Sequence, residues 1–440
     1  MAEVANFQTI HNCYDSHTHF LATGETQAGL SLHFMKNEKD ILQIKPQSHH
    51  YKGSWLVGFG WNHLNWSDPQ WPHRRTLDQI FPDTPVFLSR IDGHSSWINT
   101  CALNEFKKMG LFLQPDPFVI HDAHGETGIL KDAAHIAALI RLPALNTAQI
   151  KTYAAASMKY FNQNGITHLR DLSMTSALWS VLCDMQKASE MTVCIDSFIT
   201  AESVSDLDRA YSEFEQCQKN PNPYLKIKGL KIFIDGSLGS QTAYLSQKYL
   251  NSESTGQLLW SPEDIATAVQ FCWQRKIEIA IHTIGDEAVH QAALAARKIS
   301  ASGLEGRIHL EHVQLLRSET LSILKGLHVT VHMQPCHWIS DQPWIEQVLP
   351  SILMKNLFSW EKLRKNKIKI HFGSDSPIEP VSLFRNYQAI HHKNKFFEKL
   401  NDNWIYYHQH PDSNWTQSKT ILDVEHRIIR EVIFDQKRII

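Results

Sequence analysis

Ile277-Glu-Ile-Ala-Ile-His282 is followed by an alanine-rich stretch from Asp286 to Ser300 and then by Ile308-His-Leu-Glu-His312. Two short apolar runs flank a helical pattern, and each run ends on a histidine. Short β-branched runs of this kind read as buried parallel strands. A strand, a helix and a second strand in sequence give a right-handed crossover unit with both imidazoles at the same end of the sheet.

The same rhythm extends outward. Gly165 to Asp171, Thr192 to Ile199, Leu225 to Asp235, Val329 to Met333 and Ile368 to Phe372 read as further strands, and an eighth lies near residues 10–16. The stretch between them from Thr147 to Asn162 reads as a helix with Thr147 as N-cap. The helix after Ser261 carries Pro262 at its first position. Strands alternating with helices predict an α/β fold, a (β/α)₈ TIM-type barrel. Residues 1–20 hold its first strand and 147–420 the remainder. Residues 21–146 break the rhythm and read as an inserted α/β subdomain over the barrel mouth. Residues 391–418 read as loop, and 421–440 as a residual C-terminal helix and strand.

The 440 residues are 42% hydrophobic and 20% charged, with a net charge of -2, which gives no electrostatic case for nucleic acid or an anionic membrane. No apolar run approaches a membrane span, and the first residues carry no secretory pattern. Seven cysteines without a Cys-x-x-Cys pair are expected to be reduced thiols of a cytoplasmic protein.

The strand ends carry the chemistry. His17 and His19 lie two apart, so both rings project to one side and can bind one ion. With 26 histidines such pairs also arise by chance, and His408-Gln-His410 is read so. His282 and His312 end adjacent strands, whereas His309, three residues before His312, is expected to face outward. Lys231 lies in Gly229-Leu-Lys-Ile-Phe-Ile-Asp-Gly, with Lys228 as the competing position. A lysine inside a barrel is costly unless modified or paired; carbamylated, it would bridge two cations, and solvated at the strand start it would do nothing. Asp375, in His-Phe-Gly-Ser-Asp-Ser-Pro, can cap a turn or ligate a metal and take a proton from water. Gln334 and His337, and His94 in Asp92-Gly-His94, can orient substrate or finish loops. Cys336 has no assigned base and reads as a small buried residue. Trp55, Trp61, Trp66, Trp71 and Trp97 serve either an apolar substrate or the core of the insertion.

Read in order, Asp15-Ser-His-Thr-His-Phe20, Gly58-Phe-Gly-Trp61, Arg90-Ile-Asp-Gly-His94, Lys231-Ile-Phe-Ile-Asp-Gly-Ser-Leu-Gly-Ser-Gln-Thr-Ala243, His282-Thr-Ile-Gly-Asp-Glu-Ala288, Gln334-Pro-Cys-His337 and Gly373-Ser-Asp-Ser-Pro-Ile-Glu-Pro380 resemble the amidohydrolase superfamily. The branch is amidohydrolase family 3, which includes N-substituted formamide deformylase-like enzymes. The resemblance implies a metal-dependent hydrolase of amide C–N bonds. His17, His19 and Asp375 would hold one divalent metal, expected to be zinc, and His282 and His312 a second. Carbamylated Lys231 would bridge them, and one or two ions are admitted. Asp375 would be the catalytic base, and His94, Gln334 and His337 would contact a small-molecule substrate. A homodimer stays open.

The family's supporting β-sandwich is expected to be largely missing, because about twelve residues precede Asp15 and the segment after 420 is short. Arg170 stands where the family often has His or Gln. The competing reading is a catalytically inactive barrel kept for binding or as a scaffold. A lactone or phosphotriester hydrolase would use the same metals.

Overall fold

In the computed structural model, which describes residues 7–91, 95–250, 252–391, 396–400 and 403–440, eight strands form one parallel sheet. They are β1 (Tyr14–Thr18), β2 (His168–Asp171), β3 (Cys194–Thr200), β4 (Leu225–Phe233), β5 (Glu278–Thr283), β6 (Arg307–His312), β7 (His328–Met333) and β8 (Lys369–Phe372). Each pairs with the next in parallel, and a parallel bridge from Thr18 to Ser376 brings the ends together, so the sheet is nearly closed into a barrel. The expected (β/α)₈ fold is the one observed.

The connecting helices bury one stripe each. In Asp286–Ala301 the inward residues Val289, Ala292, Ala293, Ala296 and Ile299 recur at helical spacing, and their small size lets the helix lie close on the strands. In Pro262–Gln274 the Ser261 hydroxyl accepts from the Asp264 N–H, satisfying a free helix-end donor. Asn146, one residue before the expected cap, starts the helix Thr147–Gln163: its side chain accepts from Gln149 N–H while Gln149 Oε1 accepts from Asn146 N–H.

The two chain ends differ from expectation. Residues 10–16 are not one strand. Asn12 takes φ +46° and separates β1 from Phe7–His11, which belongs to another sheet. The closing segment is not helical. Ser418–Asp423, Ile428–Phe434 and Lys437–Arg438 are antiparallel strands, with Phe7–His11 on the outer side of Ser418–Asp423. The apolar spacing Ile421, Val424, Ile428 and Val432 mimics a helix, but β-branched residues at 428, 429, 432 and 433 favour strands. Positive φ at Arg427 and at the Asp435–Gln436 pair turns the chain.

The chain divides into two compact units, residues 1–20 with 158–440, and residues 21–157. The second has its own mixed sheet, with Trp55–Trp61 and Val86–Arg90 central. Trp61, Trp66 and Trp97 sit in one apolar cluster of this unit and Trp55 in another, with Trp71 packed against the first. The tryptophans therefore build the core of this unit. Among the described residues no helix is long and apolar enough to cross a membrane.

Candidate metal centre

Strand direction places the C-terminal residues of β1, β4, β5, β6 and the turn after β8 at one end of the barrel. His17 Nε2 lies 3.3 Å and His19 Nε2 3.2 Å from Asp375 Oδ1. The ligand atoms of these three residues lie within 4.8 Å of one another. Backbone bonds fix this closure. Asp375 N–H donates to His17 O at 2.8 Å, and His19 N–H to Ser376 O at 2.9 Å. Asp15 Oδ1 accepts from Ser374 N–H at 2.9 Å, tying the end of β1 to the turn after β8. Gly373 is required there, since a Cβ would fall 2.6 Å from His17 N.

Tautomers follow from the partners. The Glu311 carboxylate can only accept, so His17 Nδ1–H donates to Glu311 Oε2 at 2.7 Å and leaves the Nε2 lone pair toward Asp375. His312 Nδ1–H donates to Gln334 Oε1 at 2.8 Å, again freeing Nε2. His282 Nε2–H donates to Gly236 O at 3.1 Å and keeps Nδ1 free. A lone pair and a carboxylate oxygen 3.3 Å apart repel unless a cation or a proton lies between them. The donor set of imidazole nitrogens and carboxylate oxygen suits a divalent transition metal.

The rings of His17 and His312 lie 4.6 Å apart, those of His282 and His312 4.5 Å apart and those of His17 and His19 5.7 Å apart, so all four imidazoles meet. Lys231 is fully buried, and its amine has no hydrogen-bond partner among the described residues and lies 4.6 Å over the Phe233 ring. Burial lowers its pKa to about 8, against the pull of Glu311. Lys228, the competing lysine, lies at the other end of β4 near Asp196, at 3.6 Å. Burial, with Lys231 nearby, lowers His282 to about 3, and burial holds His312 well below the ordinary imidazole range. Burial opposes the charge on Asp375, but with a proton on His17 Nε2 in place of a cation, His17 and His19 hold its carboxyl well below the ordinary carboxylate range, and Asp375 with Glu311 raises His17 against its own burial in return.

Of the expected substrate contacts, His337 is at the site: its Nε2 lies 3.7 Å from Asp375 Oδ2, and its ring stacks on His312. Gln334 is 1% exposed with its amide spent on His312 and the His332 carbonyl, so it stands behind a candidate ligand instead of facing the cavity. His94 lies outside the described residues. The cavity above the cluster, about 510 Å³, is lined by His19, His282, His312, His337 and Asp375, with Phe233, Leu238, Trp344 and Ile378 as its apolar wall.

Sequence reasoning gave Glu311 and Arg170 no role. Glu311 is fully buried between His17 and Arg170, whose NH1 lies 2.8 Å from Oε1, while the guanidinium lies 4.3 Å over the Phe198 ring. Burial works against its charge, yet Arg170 and the imidazoles hold its pKa well below the carboxylate range. Asp235 is also buried. It accepts from the N–H groups of Ile284, Gly285 and Tyr244 and so fixes the loops after β4 and β5. His309 points inward, contrary to expectation, because His312 takes φ +70° and breaks the alternation from which its face was counted. His309 and Glu311 keep the strand's parity; His312 departs from it.

Residues 14–411 match the family model described as "Amidohydrolase family". YtcJ of Bacillus subtilis (strain 168), an amidohydrolase by name, is 31% identical over 378 residues, covering 83% of this chain and 70% of YtcJ. Protein LONG AFTER FAR-RED 3 of Arabidopsis thaliana is 27% identical over 399 residues, covering 84% of this chain and 66% of that protein. Two crystal structures of uncharacterized metal-dependent hydrolases superpose on the chain. That from Pyrococcus horikoshii OT3 has a TM-score of 0.71 at 26% identity, covering 87% and 74% of the two chains. That from Pyrococcus furiosus has a TM-score of 0.72 at 25% identity, covering 88% and 77%.

Proposed function

The chain belongs to the amidohydrolase family, and on that premise we propose that it hydrolyses amide-type C–N bonds with the aid of bound divalent metal. The observation that carries this reading is the facing of the His17 and His19 Nε2 atoms onto Asp375 Oδ1, an arrangement a cation satisfies. His17, His19 and Asp375 would hold one ion, and His282 and His312 a second. Lys231 would bridge them as a carbamate: burial lowers its pKa to about 8, which gives it a larger neutral fraction at neutral pH than an ordinary lysine, and only the neutral amine adds CO₂. Zinc fits the nitrogen-rich ligands. Metal held there supplies Lewis acidity toward a carbonyl oxygen and a lowered pKa for water.

Asp375, kept ionised by its imidazole neighbours, takes the proton of the attacking water. The same carboxyl then returns the proton to the leaving nitrogen as the C–N bond breaks, giving a carboxylic acid and an amine. His337 stands beside Asp375 and orients the substrate carbonyl. The cavity's acidic wall groups are Asp341, whose pKa burial raises to about 7, Glu379 and Asp375, and among its described lining residues none is Lys or Arg. That wall favours a neutral amide with an apolar substituent over an anionic one. The seven cysteines are all free, which fits a reducing compartment such as the cytoplasm.

The test is a panel of N-acyl amines beside matched esters and lactones, with metal-loaded protein and Asp375→Asn. Amide cleavage is expected, falling by about 10²–10⁴-fold in the variant. Cleavage of lactones alone would redirect the reading. No turnover of any substrate by metal-loaded protein would support the inactive barrel.

A further inference from the structure

A second cavity, of about 340 Å³, lies in the barrel at the opposite end from the candidate metal centre, among the N-terminal residues of the strands. Barrel interiors are ordinarily filled with branched apolar side chains. Here the interior apolar cluster is small, Leu172, Phe198 and Ala280, and the lower layers are polar. His371 is 5% exposed and His332 2% exposed, and both line this cavity. Among the described residues neither ring nitrogen of His371 has a partner, nor does Nδ1 of His332. Buried polar atoms left so are costly, so the cavity is suited to hold something polar.

The charges decide what. Each carboxylate around it has a cation or a ring N–H beside it. Asp196 Oδ2 accepts from His410 at 3.1 Å, while its Oδ1, which accepts no hydrogen bond from the described residues, lies 3.6 Å from Lys228. Asp412 pairs with Lys226 at 2.7 Å, and Glu278 accepts from His309 Nε2–H at 2.9 Å. Arg307 reaches Glu278 only at 3.7 Å, and Lys369, the first residue of β8, makes no ion pair among the described residues. The floor therefore has cationic charge to spare. The hydrogen-bond chain also has a direction. Glu278 can only accept, so His309 carries its proton on Nε2, His309 Nδ1 accepts from His332 Nε2–H at 2.9 Å, and His332 Nδ1 is left as an acceptor. A ligand here meets donors on Lys369, Arg307 and His371 and an acceptor on His332.

We propose that this floor cavity binds a small oxyanion that keeps at least one O–H, the phosphate monoanion being the simplest example, with Lys369 and Arg307 taking its charge and His332 Nδ1 accepting a hydrogen bond from its O–H. The site is independent of the hydrolytic reading, since it shares no proposed metal ligand.

Isothermal titration calorimetry of the metal-loaded protein with inorganic phosphate and with sulfate, at constant ionic strength and mildly acidic pH, tests it. One saturable phosphate site is expected, tighter than for sulfate, which has the same shape but no O–H. Affinity should fall by about tenfold or more in Lys369→Gln and be kept in Lys369→Arg. Lys369 is exposed at a strand start, so both variants should fold, and Arg307→Gln gives a second loss. The proposal is overturned by absence of saturable binding, by equal affinity for sulfate, or by binding unchanged in both Lys369→Gln and Arg307→Gln, which would place the anion on the metal.

Discussion

Asp375 faces three imidazoles, and its geometry depends on residues that touch no substrate. Glu311 is the chief of these. It fixes the His17 tautomer, and Arg170 keeps it charged. Carboxylates behind metal-bound histidines orient the ring and raise its basicity. Glu311→Gln, which keeps the shape but not the charge, should weaken metal affinity by about 10–100-fold. Competition with a chelator, read by metal-dependent absorbance, measures this. Unchanged affinity would make Glu311 a mere counter-ion for Arg170. At this scale strand-end position brought the candidates forward, and the resemblance of their motifs to the amidohydrolase superfamily is what gave them the role of ligands. The place of His309 was not legible, because its facing was counted from His312, whose backbone lies in the left-handed region, and Glu311 drew no reading of its own. For Gln334 a sequence does not show that its amide is engaged by His312.

At the scale of elements, the inner strands were plain from their apolar runs, while the two chain ends were not. β1 is polar in sequence yet buried throughout, because its polar groups are met within the barrel: Thr18 Oγ1–H donates to Arg170 O, and Asp15 accepts from backbone N–H groups. The C-terminal strands are short and amphipathic at a spacing that also suits a helix, and only their pairing with Phe7–His11, hundreds of residues away, decides the outcome. The hydrogen-bonded pair of β5 and β6, Glu278 with His309, gives a pH prediction. Burial raises the Glu278 pKa, but His309 outweighs this and brings it to about 2. A depressed carboxylate contributes stability that is full above its unfolded pKa, about 4.3, and lost as pH falls toward 2. The stability difference between wild type and Glu278→Gln, from denaturant unfolding, should therefore shrink between pH 5 and pH 3. A difference constant across that range would show that the pair does not stabilise through the carboxylate's charge.

At the scale of the whole molecule, eight parallel strands gather residues from 17 to 375 at one end of a barrel, which no shorter segment could do. That convergence was legible because strands alternating with helices permit few topologies. How the 21–157 unit relates to function was not legible, because its tryptophans serve its own core. If the barrel end is a metal centre, metal content per chain follows from it. Elemental analysis of protein purified without chelator, beside the His17→Asn/His19→Asn variant, tests this most directly. The account predicts about two transition-metal ions per chain in the wild type and a loss of at least one in the variant. No metal in the wild type, and none taken up from added zinc, would contradict it.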